Sequence, residues 1–233
     1  AMAVADLNND GKDDFFIGGA RNQASILFLS DSKSSTFKQI TQPFESIKSS
    51  ESVKAKWVDI DNDGDLDLYV ANSGKSFSSY DTNLDDALFI NDGKNNFLRK
   101  MHFTTFPKQI PTGDFDTIDI NKDGLIDFVI CEQFHSETYG LPGSCYTMVN
   151  RGNGNFVTSA LSSTQQIGMV QSVVAKDMNG DQLADLVLAG HWMPITIIYN
   201  DDKQFAKPKI QKLEKSVGLW NKVLIKDFNN DGV

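Results

Sequence analysis

Asp59-Ile-Asp-Asn-Asp-Gly-Asp-Leu-Asp67 is nine residues with a carboxylate at every odd position and one glycine at the sixth. The same spacing recurs as DLNNDGKDD from Asp6, DINKDGLID from Asp119, DMNGDQLAD from Asp177 and DFNNDGV from Asp227. The starting residues are 53, 60, 58 and 50 apart, a period that marks a repeat architecture. Directly after each of the first four segments comes a short apolar run: FFIGG from Phe15, LYVAN from Leu68, FVICE from Phe128, LVLAG from Leu186. These runs are rich in β-branched and aromatic residues and too short for helices, so they read as buried strands. Strand-like stretches also precede the acidic segments: VKAKWV (Val53 to Val58), TIDI ending at Ile120, and VLIK (Val223 to Lys226). Each acidic segment is therefore expected to be a turn joining two strands.

A second signal follows in every unit. ALFINDGKNNF (Ala87 to Phe97), YTMVNRGNGNF (Tyr146 to Phe156) and TIIYNDDKQF (Thr196 to Phe205) pair a strand with a polar turn and a closing Phe, and ILFLSDSKSSTF (Ile26 to Phe37) is a looser version. Asn-Asp-Gly and Gly-Asn-Gly supply the positive φ angles of tight hairpins. Each unit thus offers four strands and no sustained helical period. The expected fold is all-β, a β-propeller of four-stranded blades. The expected blades are 1–48, 49–107, 108–166 and 167–216, with a fifth beginning at 217–233. The first unit has only AMAVA before its turn and reads as lacking its first strand. The fifth stops inside its turn. The chain is therefore expected to be an excerpt of a longer propeller, with a closed four-bladed ring as the alternative.

Alternate side chains in the acidic turn converge on one point as the backbone curls. The oxygen-only ligand set suits Ca²⁺, and no His or Cys lies within the segments to favour zinc. The expected sets are Asp6, Asn8, Asp10 and Asp14; Asp59, Asp61, Asp63 and Asp67; Asp119, Asn121, Asp123 and Asp127; and Asp177, Asn179, Asp181 and Asp185. Lys12, Asp65, Leu125 and Leu183 would add main-chain carbonyls, and the fifth segment retains Asp227, Asn229 and Asp231. An EF-hand needs Glu at position 12, where this chain has Ile17, Val70, Ile130 or Leu188, each in a strand. The second site has the most carboxylates and should bind tightest. The fourth has Gln182 in place of glycine and should bind weakest.

Lys plus Arg is 22 and Asp plus Glu 31, a formal charge of −9 that disfavours a phosphate backbone as partner. Fifteen of those acids are Asp at ligand positions of the five segments, so the remaining 16 are outnumbered by the 22 bases and the acidity is local. No apolar run is long enough to span a membrane, and the opening residues do not read as a signal peptide. Cys131 and Cys145 flank the long connection of the third unit. They read either as a disulfide closing a loop of about 15 residues or as two separate thiols.

The loop, the D-[LF]-[VYF]-[VI] strand after it and the N-x-G-x-x-x-F hairpin resemble the FG-GAP/VCBS repeats of integrin α-subunit-type β-propellers. LAGHWMPITIIYND (Leu188 to Asp201) and VGLWNKVLIKDFNNDG (Val217 to Gly232) are similar to bacterial propellers that precede ASPIC/UnbV domains, relatives of cartilage acidic protein. The resemblance implies a secreted or surface-exposed protein, usually of seven blades, acting in cell adhesion or ligand binding with Ca²⁺ in its loops.

The connections that leave the opposite end of the blades are long in two units, NSGKSFSSYDTNLDD (Asn72 to Asp86) and EQFHSETYGLPGS (Glu132 to Ser144). Phe77, Tyr80, His135 and Tyr139, with His191 and Trp192 of the fourth unit, are the candidate contacts to a carbohydrate or protein ligand. Packing into seams between blades is the alternative role of these rings. Only His102, His135 and His191 exist and no nucleophile motif appears, so no catalytic residue is expected. The catalytic or non-catalytic propeller part of a secreted polysaccharide-active enzyme is the second functional reading, and a spacer that binds only metal the third.

Overall fold

A computed structural model describes residues 1–228 apart from 32, 35, 102–105, 107–108, 136–137, 139 and 203. The chain forms four antiparallel sheets in sequence order. The first holds β1 (Met2–Ala5), β2 (Asp14–Ile17), β3 (Ile26–Ser30) and β4 (Phe37–Ile40). The second holds β5 (Glu51–Val58), β6 (Asp67–Ser73), β7 (Ala87–Asn91) and β8 (Phe97–Lys100). The third holds β9 (Thr112–Ile118), β10 (Asp127–Glu132), β11 (Cys145–Asn150) and β12 (Phe156–Ala160). The fourth holds β13 (Met169–Lys176), β14 (Asp185–Tyr199) and β15 (Lys209–Leu219). Short 3-10 turns at Phe44–Ile47, Thr82–Leu84 and Ser162–Thr164 are the helical elements among the described residues. Each sheet meanders strand to neighbouring strand, as a propeller blade does.

Two expectations change, and a third is met in a different form. The first unit does not lack its first strand: Met2–Ala5 pairs with Asp14–Ile17 residue for residue, because four extended residues suffice for the ladder. Val223 to Lys226 lie outside any strand, whereas β15 runs to Leu219, past residue 216. The fourth sheet keeps the four expected strands but divides them among three elements. An extended strand as long as β14 would separate its ends by roughly 45 Å, yet Asn200 N donates to Asp185 Oδ1 across 2.8 Å. β14 therefore doubles back and supplies both middle strands of its blade. At the bend Trp192 has φ +55°. Gly190 tolerates no side chain, since a Cβ there would lie 2.1 Å from Met169 O.

The chain divides into two compact units, residues 1–112 with 152–155 and residues 113–151 with 156–233. In unit 1 the inward faces of the first two sheets interleave through Phe16, Leu27, Phe44, Trp57, Leu68, Val70, Phe89 and Phe97. Phe44 meets Phe16 at 5.3 Å and Phe89 at 5.0 Å, both edge-on. Such pairs add about 0.5–1.5 kcal/mol each beyond area burial. In unit 2 the third and fourth sheets share Ile118, Val129, Val173, Leu186, Leu188, Ile198 and Phe205. The 2.0-residue period of each strand places these side chains on one face.

Cys131 and Cys145 are directly opposite in the β10–β11 ladder and are joined by a disulfide inside this second core. With the linked positions 14 apart in sequence, loop closure gives a stabilisation of about 3 kcal/mol in the chain-entropy account. Reduction should raise the intact mass by about 2 Da and lower the melting temperature of unit 2 by several degrees. An unchanged mass on reduction would show that the bond is not formed.

Candidate metal centre

The four nine-residue loops between the first two strands of each sheet share most of one hydrogen-bonding pattern. Loop 1 is residues 6–14, loop 2 is 59–67, loop 3 is 119–127 and loop 4 is 177–185. In the first three the leading Asp accepts from two backbone N–H groups across the turn. Asp6 takes Asp10 N at 3.1 Å and Gly11 N at 2.8 Å, Asp59 takes Asp63 N at 3.2 Å and Gly64 N at 3.0 Å, and Asp119 takes Asp123 N and Gly124 N, both at 3.1 Å. In loop 4 Asp177 instead reaches Gly180 N and Gln182 N, both at 2.7 Å. The fifth position closes a smaller turn: Asp10, Asp63, Asp123 and Asp181 accept from Lys12, Asp65, Leu125 and Leu183 N at 2.7–3.0 Å.

Both the fourth and the sixth residue of every loop are left-handed. Asn9 and Gly11, Asn62 and Gly64, Lys122 and Gly124, and Gly180 and Gln182 all have φ between +55° and +94°. The strain expected at Gln182 is present, at φ +68°. It does not single out loop 4, whose glycine has moved to position 4, so every loop carries one left-handed side chain. Asn tolerates that region best, which leaves loops 3 and 4, with Lys122 and Gln182, as the strained pair.

The ninth position behaves in a way the spacing did not reveal. Asp14, Asp67, Asp127 and Asp185 are each wholly buried. One oxygen of each accepts from the second residue of its own loop: Leu7 N at 2.8 Å, Ile60 N at 3.0 Å, Ile120 N at 2.9 Å and Met178 N at 2.9 Å. The other accepts from the end of the blade's third strand: Ser30 N at 2.6 Å, Asn91 N at 2.8 Å, Asn150 N at 2.7 Å and Asn200 N at 2.8 Å. The partner residues were missed as functional positions, although the Asn opening each N-x-G hairpin was the available signal. Asn91 and Asn150 also donate their amides to Leu66 O and Ile126 O.

Among the described residues, Asp59, Asp61 and Asp67 form a group whose ligand oxygens lie within 4.8 Å of one another. Asp61 Oδ1 is buried without a hydrogen-bond partner. At the same place loops 3 and 4 have Asn121 and Asn179, whose amides donate to Asp123 Oδ2 and Asp181 Oδ2. Three carboxylates around an unsatisfied oxygen are what a divalent cation neutralises, and hard oxygen donors fit Ca²⁺. Burial pushes Asp67 up to about 7, opposed by its two N–H donors and helped by Asp61 and Asp63. Burial likewise pushes Asp127 to about 6 and raises Asp185. Asp61 is raised by burial first, then by Asp63 and Asp59. Asp227 lies in the described chain; Asn229 and Asp231 of the fifth segment lie outside the described residues.

The candidate ligand aromatics separate. Tyr80 is 78% and Trp192 63% exposed, and the Trp192 ring stands edge-on to His191 at 6.1 Å. His191 Nε2 pairs with Asn221 Oδ1 at 3.0 Å. Phe77 is corrected: it is 5% exposed, with the Arg21 guanidinium 4.8 Å over its ring, so it packs rather than presents itself. His135 is half-buried; Tyr139 and His102 lie outside the described residues. The Asn72–Asp86 connection is pinned at its end by Asp86, which accepts from Tyr69 OH at 2.7 Å, Asn72 N at 2.8 Å and Thr112 Oγ1 at 3.0 Å.

Asp67→Ala strands two buried N–H groups, a loss of about 2–5 kcal/mol in all, and urea unfolding should show it in chelator as well as in calcium. Asp61→Ala should be near neutral in chelator and costly only with calcium present; a calcium-independent penalty at Asp61 would contradict the assignment. The sign of the pH effect follows from carboxyls held above their unfolded value of about 4. Their stabilisation of the calcium-free protein is complete below pH 4 and lost as pH rises through about 6–7. Calcium, which takes the ionised form, should bind more tightly over that same interval, a trend that isothermal titration at pH 5.5, 6.5 and 7.5 measures.

Comparison with known families matches the FG-GAP-like repeat over residues 6–70, 59–130 and 119–188, each match running from one acidic loop through the next. No curated protein matches the chain. Among solved structures, an Agrocybe aegerita lectin, described as specifically recognising non-reducing terminal N-acetylglucosamine, is similar with a TM-score of 0.56 at 18% identity. That likeness covers 89% of this chain and 50% of the lectin, so the chain spans half the length of that relative. The repeated loops, the four meandering sheets and the family match agree, and the chain belongs to the FG-GAP-like repeat family, with the blade fold of a β-propeller.

Proposed function

We propose that the chain is a calcium-stabilised, extracellular propeller segment that acts as a binding or adhesion scaffold for a carbohydrate or protein ligand. The observation that carries the metal half is the buried, unpartnered Asp61 Oδ1 facing Asp59 and Asp67. Asp59, Asp61, Asp63 and Asp67, with the carbonyl of Asp65, would hold the ion in loop 2. The corresponding sets in loops 1, 3 and 4 substitute Asn8, Asn121 and Asn179 for the central carboxylate. Fewer charges around the ion mean weaker binding there. A bound ion would supply structural charge neutralisation, tying the loop to the buried ninth-position Asp. Binding only the folded form, it stabilises by mass action.

The extracellular half draws on the Cys131–Cys145 disulfide, which persists in oxidising compartments. The binding half draws on Tyr80 and Trp192, each at the end of its blade opposite the acidic loop. Trp192 sits exposed on a left-handed backbone, the kind of strained position that concentrates at functional sites. The lectin neighbour makes a saccharide the first ligand class to try.

Calorimetry should show a melting temperature that falls when EGTA replaces calcium. A glycan array should show binding that weakens at least tenfold in Trp192→Ala with the fold intact. Turnover of a polysaccharide panel would instead favour the enzyme reading, and a silent array with calcium-dependent melting the spacer reading.

A further inference from the structure

We infer that unit 2 holds a second, separate saccharide subsite, a cleft at the loop end of the third sheet that takes one anionic, uronate-type sugar residue. The inference rests on the saccharide reading above but concerns different residues from the exposed aromatics. Thr147 pairs directly with Ser159 and Val149 with Val157, so these four side chains share one face of β11 and β12. Arg151 continues the same alternation one step past β11. Asn121 and Ile120 of loop 3 form one wall, and Gln204 of the turn before β15 closes the other.

The cleft holds about 210 Å³. That is below the roughly 300–1,000 Å³ of pockets for drug-sized ligands, so it suits one small polar unit. Its chemistry is mixed in the way a pyranose requires. Val149, Val157 and Ile120 offer a patch to the C–H face of a ring. The Ser159 hydroxyl and the amide of Gln204 can each donate and accept toward ring hydroxyls, while Asn121, already bonded to Asp123 through both its amide and its carbonyl, serves only as wall. Thr147, buried, spends its proton on Ser159 O at 3.4 Å and keeps its lone pairs to accept. Arg151 is the one charged residue among those lining the cleft, and its planar fork matches a carboxylate through two parallel bonds.

The test titrates the full chain, in calcium buffer, with sodium glucuronate, glucose and sodium acetate, following backbone amide resonances. Glucuronate should bind with a Kd on the order of 1 mM and shift the resonances of Thr147, Val149, Ser159 and Gln204. Glucose and acetate should each bind at least fivefold more weakly. Arg151→Gln, an exposed position whose change leaves the core intact, should weaken glucuronate about tenfold, and Ser159→Ala by a smaller factor. Acetate binding as tightly as glucuronate makes the cleft a simple anion site and overturns the inference. Equal binding of glucose removes the role of Arg151 and does the same. Failure of glucuronate to bind, or binding that neither variant weakens, sinks the subsite while the scaffold reading stands on the array; failure of every saccharide in both assays removes both.

Discussion

Everything in these blades hangs on one buried carboxylate with two backbone N–H donors. A meandering sheet keeps adjacent strands together through its ladder, but the loop leaving its first strand has no partner of its own. The ninth-position Asp solves this by taking one N–H from the loop and one from the third strand. Isolated burial of a carboxylate would cost several kcal/mol. Two charge-assisted bonds, each worth about 1.5–3 kcal/mol, offset part of that cost while fixing three chain segments at one atom cluster. The rest of the loop then forms around a rigid corner, with the first and fifth Asp folding the backbone into tight turns. The geometry that would present oxygens to an ion is thus built by hydrogen bonds before any ion arrives.

This order of construction explains the differences between loops. In loops 3 and 4 the amide of Asn121 or Asn179 donates to the fifth Asp and partly satisfies the centre without a cation, whereas in loop 1 Asn8 donates to Ser30 O. Where it is Asp61, the side chain has no amide to donate, and its Oδ1 is left buried and bare. The same fold therefore hosts a spectrum, from centres that are nearly self-sufficient to one that is electrostatically incomplete. The proposed ion and the internal bonds act on the same oxygens.

Much of the fold was legible because it is written in short-range chemistry repeated four times. Apolar runs of four to six residues after an acidic turn become strands whatever their neighbours do, and the Asn-Asp-Gly hairpins set register locally. Reading failed where tertiary pairing decides. Met2–Ala5 is too short to announce itself, and only the β2 ladder makes it a strand. Val223 to Lys226 has the composition of a strand but no ladder among the described residues. Phe77 sits in a polar connection, so its sequence gives no hint that Arg21, over fifty residues away, covers its ring. The acidic turns were readable from spacing, whereas the double role of the ninth Asp depends on the distant N–H of Asn91 and its equivalents.

The pair of left-handed positions in each loop opens a mutational route. From Asn-Asp-Gly, one change gives Gly-Asp-Gly and a second gives Gly-Asp-Gln, the arrangement of loop 4, and no step along the way places a second side chain in the disfavoured region. Glycine can thus migrate within the turn through a permissive intermediate. A search pattern that insists on glycine after the third carboxylate position would pass over such descendants, and a pattern that accepts it at either site would recover them.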